Sequence, residues 1–114
     1  MLRKINLKEN NATVEYAIAV LEIEIESAKR EGIKAMKILH GYGSHGRGGA
    51  IAKAVRNKLN QLKKQKIIVD YFGGDKWNIF EKETMKILEL DKEIYNDDDI
   101  NKSNPGITII WLSN

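Results

Sequence analysis

No cysteine occurs among the 114 residues, which excludes disulfides and thiolate metal sites. Long apolar runs are missing as well. The N-terminus, Met1-Leu2-Arg3-Lys4-Ile5-Asn6-Leu7-Lys8, has neither the apolar stretch of a signal peptide nor the length of a membrane span. A cytoplasmic protein without a membrane partner is therefore expected. There is no internal repeat, low-complexity tract or flexible linker. The chain reads as one domain, 1–114, with apolar content for a single core. Each half is poor in charge of one sign. Residues 1–66 carry 14 Lys/Arg against 6 Asp/Glu, a net +8; residues 67–114 carry 5 against 10, a net −5. A basic half points to a polyanionic partner, unless its lysines merely solvate helix faces.

Glycine is concentrated rather than scarce. Five of the nine glycines fall in His40-Gly41-Tyr42-Gly43-Ser44-His45-Gly46-Arg47-Gly48-Gly49. The apolar Met36-Lys37-Ile38-Leu39 precedes this stretch and a helical pattern beginning near Ala50 follows it. A strand that breaks into glycines and then opens a helix is a common anion site. Glycine allows positive φ and close backbone approach, and the free N–H groups of the helix start face the ligand.

Elsewhere the pattern resolves into alternating elements. Ile5 and Leu7 share one side of a short strand over 3–7. Thr13 is a good N-cap for an amphipathic helix over 14–31, with Val14, Ala17, Ile18, Leu21, Ile25 and Ala28 on its apolar face. Glu15, Glu22 and Glu26 lie on its outer face, and Gly32 is a natural stop. Residues 33–39 lack clean alternation, as a strand covered on both faces does. Ile51, Val55, Leu59 and Leu62 form the stripe of a second helix, with Lys53 and Arg56 toward solvent. Ile67 to Phe72 reads as the strongest strand, stopped by Gly73-Gly74. Trp77, Phe80, Ile87, Leu88 and Leu90 suggest a further short helix packing locally, and Asn96-Asp97-Asp98-Asp99 a solvated acidic turn. Asn104-Pro105-Gly106 launches a last strand, Ile107 to Leu112. The order β-α-β-α-β-(helical insert, about 75–104)-β predicts an α/β two-layer sandwich: a four-stranded sheet with two main helices and a mostly parallel start. In such a sheet ligands collect at the carboxyl ends of the strands, where the glycine loop falls.

The loop is not a Walker loop, because the Gly-Lys-Ser/Thr ending is absent. Gly41-Tyr42-Gly43-Ser44-His45-Gly46 fits G-x-G-x-x-G literally, but no acidic residue ends the next strand in the right setting.

Ile38-Leu39-His40-Gly41-Tyr42-Gly43, followed by Ala50-Ile51-Ala52-Lys53-Ala54-Val55-Arg56-Asn57-Lys58-Leu59, resembles the Smr (small MutS-related) domain. That family shows a strand ending in His-Gly-x-Gly, a glycine-rich loop, and a helix of the form L-(R/K)-x-A-V-x-x-x-L. Phe72-Gly73-Gly74 and the closing strand from Gly106 match in order. The resemblance implies an α/β sandwich similar to the C-terminal domain of bacterial translation initiation factor three. It implies DNA or RNA as partner, with branched or nicked substrates in several members and endonuclease cleavage in some. DNA repair, recombination or RNA processing are the settings it implies. Two departures stand out. The family's first strand usually ends in Leu-Asp-x-His-Gly, implicated in cleavage; here Ile5-Asn6-Leu7-Lys8-Glu9-Asn10 has neither Asp nor His. The insert replaces a usually short connection.

Candidate roles follow. His40 is the tentative catalytic residue, as phosphate ligand or acid–base group, or else a strand terminator bonded to the loop backbone. Gly41, Gly43, Gly46, Gly48 and Gly49 would offer amides to phosphate, with Ser44 and His45 in the same loop. Arg47, Lys53 and Arg56 would form a cationic strip, with Lys37 or Lys58 as extensions, holding the backbone without reading sequence. Tyr42 would stack on a base or pack over the first helix. No resident cofactor is expected, with a divalent metal only if the chain is a nuclease. Nothing meets the spacing of a metal site, although Asp70 and Asp75 bracket the third strand. A protein-interaction module using the insert, with Trp77 and Phe80, is the alternative from another class. A monomer or weak homodimer is expected.

Overall fold

The computed structural model describes residues 1–8, 13–41 and 47–114, with backbone alone for residues 47 and 48. The elements are β1 (Leu2–Asn6), α1 (Val14–Arg30), β2 (Ala35–Leu39), α2 (Arg47–Lys64), β3 (Asp70–Gly73), α3 (Lys82–Leu90) and β4 (Ile107–Trp111), with short 3-10 helices at Gly74–Lys76 and Lys92–Asn96. The sheet order is β1-β2-β4-β3. β1 is parallel to β2, while β4 runs antiparallel to both β2 and β3. The sheet is thus mixed, and the last strand slots between the second and third. The carboxyl ends of β1, β2 and β3 share one edge with the amino end of β4.

Local chemistry sets the element ends. The Thr13 hydroxyl accepts from the Tyr16 amide at 3.1 Å and caps α1. At the other end Gly32, at φ +75°, lets its own amide reach Lys29 and that of Ile33 reach Ala28, a Schellman closure. α2 closes in the same way with Lys66 at φ +62°, the amide of Ile67 reaching Leu62.

Both sheet faces are covered. Ile5, Leu7, Met36, Ile38, Tyr71 and Ile110 meet Ala17, Leu21, Ile25 and Ala28 of α1 and Ile51, Val55, Leu59 and Leu62 of α2. On the other face Ala35, Phe72, Ile107, Ile109 and Trp111 meet Trp77, Ile87, Leu88, Ile94 and Ile100. The missing alternation in residues 35–39 has this cause: the strand is apolar toward both layers.

Three expectations need correction. The third strand begins at Asp70, not Ile67. Residues 67–69 carry the chain from α2 up to the sheet: Ile68 is buried in the core beneath the helices, Val69 packs against the second layer, and Ile67 is exposed. The acidic turn is not solvated. Asp97, with its side chain 1% exposed, accepts from Lys37 Nζ at 2.7 Å and the Trp77 indole at 2.9 Å; Asp99 accepts from the same Nζ at 2.6 Å. Only Asp98 of the three is exposed. Consequently Lys37, 4% exposed, points into the second layer and adds nothing to a surface strip. Burial works against charge on Lys37 and on both carboxylates, but their mutual hydrogen bonds prevail, raising the Lys37 pKa and lowering those of Asp97 and Asp99. The helix of this segment starts only at Lys82, so Trp77 and Phe80 precede it. Among the described residues no helix is long and apolar enough to cross a membrane.

Candidate functional site

β2 ends at Leu39, and the next two residues fix how the chain leaves the sheet. The amides of His40 and Gly41 both donate to the Gly106 carbonyl, at 3.0 and 3.1 Å. Gly41 takes φ +78°, a conformation that only glycine adopts cheaply. Its own N–H is therefore spent on the fold, and the glycine of His-Gly serves the turn.

His40 is 3% exposed. Its Nδ1 lies 2.9 Å from the Gly41 carbonyl and its Nε2 2.9 Å from the Thr108 hydroxyl. A carbonyl only accepts, so Nδ1 carries the proton and Nε2 accepts from Thr108. Burial, with a smaller contribution from the positive charge of Arg56, lowers the pKa below the ordinary 6.5. The ring is neutral at pH 7 and ties the end of β2 to the start of the loop and to β4.

The parallel pairing of β1 brings a further residue to this place. The Leu7 amide donates to the Leu39 carbonyl at 2.8 Å, extending the ladder by one bond. Lys8 follows, its amide held by the Asn6 side chain at 3.0 Å. Its Cδ lies 3.7 Å from where a Cβ on Gly41 would stand. Lys8 is exposed and has no carboxylate partner among the described residues. Its place depends on which strand lies beside β2, which no local sequence pattern carries. Gly106 and Thr108, which hold His40, owe their place to the same non-local pairing.

On the other side of the loop α2 opens at Arg47. Its first turn, Arg47-Gly48-Gly49-Ala50, contains no acidic residue, whereas α1 and α3 carry Glu15 and Glu83 in theirs. The positive end of the α2 dipole is left without a carboxylate. In that first turn Gly49 and Ala50 are exposed and carry little or no side chain over the backbone. Lys53, Arg56, Asn57 and Asn60 are exposed further along, at the i, i+3, i+4, i+7 spacing of one helix face, a polar stripe of roughly 10 Å. Lys58 lies off this stripe and pairs with Glu22 at 3.2 Å. Tyr42, Gly43, Ser44, His45 and Gly46 lie outside the described residues, as does the side chain of Arg47.

His40 and Gly41 stand at the carboxyl end of β2 with Lys8 beside Gly41, and the charge of Arg56 reaches the His40 ring; Gly49 and Lys53 are exposed in the first turns of α2. The structure separates Lys37 and Lys58 from them. Asp70 is bound by Lys63 at 2.9 Å on the β3 edge. Among the described residues no group of three or more His, Asp or Glu could hold a metal ion.

Comparison with known proteins bears on the fold and the family. The crystal structure of the Smr domain of Thermus thermophilus MutS2 shares the fold, with a TM-score of 0.61 at 19% identity over 98% of this chain and 99% of that one. No curated protein matches. A family model described as the Smr domain matches residues 6–75, from the end of β1 through the loop and α2 to the turn after β3. That is more than half of the sequence, and the chain belongs to the Smr domain family.

Proposed function

We propose that this protein binds nucleic acid through its sugar-phosphate backbone, with the loop 40–49 and the outward face of α2 as the contact surface. The observation that carries this reading is a set of exposed cations from separate elements, without carboxylate partners among the described residues, on either side of a glycine turn. Lys8 after β1 stands beside Gly41, Arg56 of α2 acts on the adjacent His40, and Lys53 lies one turn before Arg56. Such an arrangement neutralises phosphates and carries no base-reading code. Binding should therefore be insensitive to sequence and sensitive to salt. The family supplies the ligand class; the residues supply the contacts.

The proposal is confined to binding. His40 is enclosed and engaged at both nitrogens, and β1 leads into Asn6-Leu7-Lys8 where the family's cleavage motif carries an acid and a histidine.

The reading is tested by fluorescence anisotropy with labelled DNA and RNA oligonucleotides. The combined Lys8→Ala, Lys53→Ala, Arg56→Ala variant should bind at least tenfold more weakly than the parent at low salt, about 1.4 kcal/mol. Equal affinity of the two proteins for every oligonucleotide would place the contact surface elsewhere.

A further inference from the structure

We propose that Asn60 is a neutral phosphate donor on the outward face of α2, and that Tyr71 of β3 positions its amide for that contact. The inference rests on the backbone-binding reading above and carries the contact surface two turns beyond Arg56, to Lys64.

Lys53, Asn57, Asn60 and Lys64 follow one another at i, i+4, i+7 and i+11, the spacing of a single row along a helix. All four are exposed, on the side away from the buried Ile51, Val55, Leu59 and Leu62. The row is roughly 16 Å long. Two cations bracket two amides. Asparagine is a poorer helix former than the alanine, lysine and glutamine used elsewhere in α2, so helix formation does not account for the middle pair. The neighbouring lysines are engaged. Lys58 pairs with Glu22 at 3.2 Å and Lys63 with Asp70 at 2.9 Å. Between Arg56 and Lys64 the donors left over on this face are amides.

Asn60 differs from Asn57 in being oriented. The Tyr71 hydroxyl donates to Asn60 Oδ1 at 2.7 Å. With its oxygen engaged, the amide keeps two Nδ2 protons that have no partner among the described residues. A phosphodiester oxygen only accepts, and asparagine is among the side chains that donate to it. Tyr71 is a firm support. It pairs with Ile110 in the sheet, and its ring packs against the core between sheet and helices. Its amide donates to Asp70 Oδ1 at 2.8 Å, the same oxygen that holds Lys63. The hydroxyl thus reaches α2 from a fixed strand and sets which end of the amide is free. A donor held in this way loses little side-chain freedom when a ligand arrives.

The test is the salt dependence of binding to one labelled oligonucleotide, for the parent, Asn60→Ala, Asn60→Lys, Tyr71→Phe, the Asn60→Ala, Tyr71→Phe double variant and Arg56→Ala. Counterion release follows cations, so a neutral donor adds affinity without adding slope. Asn60→Ala should weaken binding about fivefold at every salt concentration and leave the slope of log K against log salt as in the parent. Asn60→Lys should steepen that slope by about 0.7–0.9. Lysine is a good helix former at an exposed position, so this readout does not depend on a fold that the other substitutions loosen. Tyr71→Phe should weaken the parent about twofold or more and leave Asn60→Ala unchanged, the coupling of a residue that acts through another. Equal affinity of Asn60→Ala and the parent, or a parent slope in Asn60→Lys, overturns the inference. Backbone binding then stands if Arg56→Ala is weakened in the same series, and falls with it if Arg56→Ala matches the parent. An equal effect of Tyr71→Phe in both backgrounds, or in neither, means that its hydroxyl only ties strand to helix, and refutes the positioning role.

Discussion

His40 stands where the loop must be both reachable and fixed. Its side chain has gone to the second task. With Nδ1–H on the Gly41 carbonyl and Nε2 on Thr108, the ring sets the direction in which the chain leaves β2. This has a consequence for pH. The unfolded chain takes up a proton near 6.5, while the folded ring, with its lowered pKa, resists until lower pH. Over that interval the unfolded state binds more protons, so the neutral ring's contribution is full above 6.5 and fades as pH falls through the folded value. Urea unfolding between pH 7.5 and 5 should show the parent losing stability more steeply than His40→Gln. At pH 7.5 the substitution itself should cost about 1–3 kcal/mol, through the partners left unsatisfied. Parallel pH profiles for the two proteins would mean that the ring is solvated rather than enclosed.

At the scale of elements, the segment between β3 and β4 is held by more than apolar contact. Lys37 projects from β2 into a cage of Asp97 and Asp99, and Asp97 also receives the Trp77 indole. Removing one partner of a buried ion cluster leaves uncompensated charge, at a cost of about 3–5 kcal/mol. Lys37→Met should lose that much in denaturant unfolding. A loss below 1 kcal/mol would show that the apolar face alone holds the segment. The main alternation of strands and helices was legible in the sequence, because the stripe of α1 and the cap at Thr13 are local signals. So was the glycine turn after Leu39. The cage was not, because Lys37 and Asp97 are 60 positions apart and each, read alone, is an ordinary surface charge. The start of β3 was misplaced because Ile68 and Val69 are apolar for packing on opposite sides of the sheet before the ladder begins, which in sequence looks the same as a strand. Lys8 became visible only when β1 was found beside β2.

For the whole molecule, the charge asymmetry acquires a location. The basic half forms β1, α1, β2 and α2, and Lys8, Lys53 and Arg56, without carboxylate partners among the described residues, are exposed on it. Part of the acidic half's charge is internal, spent on Lys37. Under the proposed function these exposed cations, rather than the formal net charge of only +3, would draw a polyanion to this end of the sheet. The most direct measurement is the salt dependence of binding to one oligonucleotide, for the parent and for Lys8→Ala, Lys53→Ala and Arg56→Ala separately. Each substitution should flatten the plot of log K against log salt concentration by about one and weaken binding equally for unrelated sequences. Three plots that coincide with that of the parent would contradict the account.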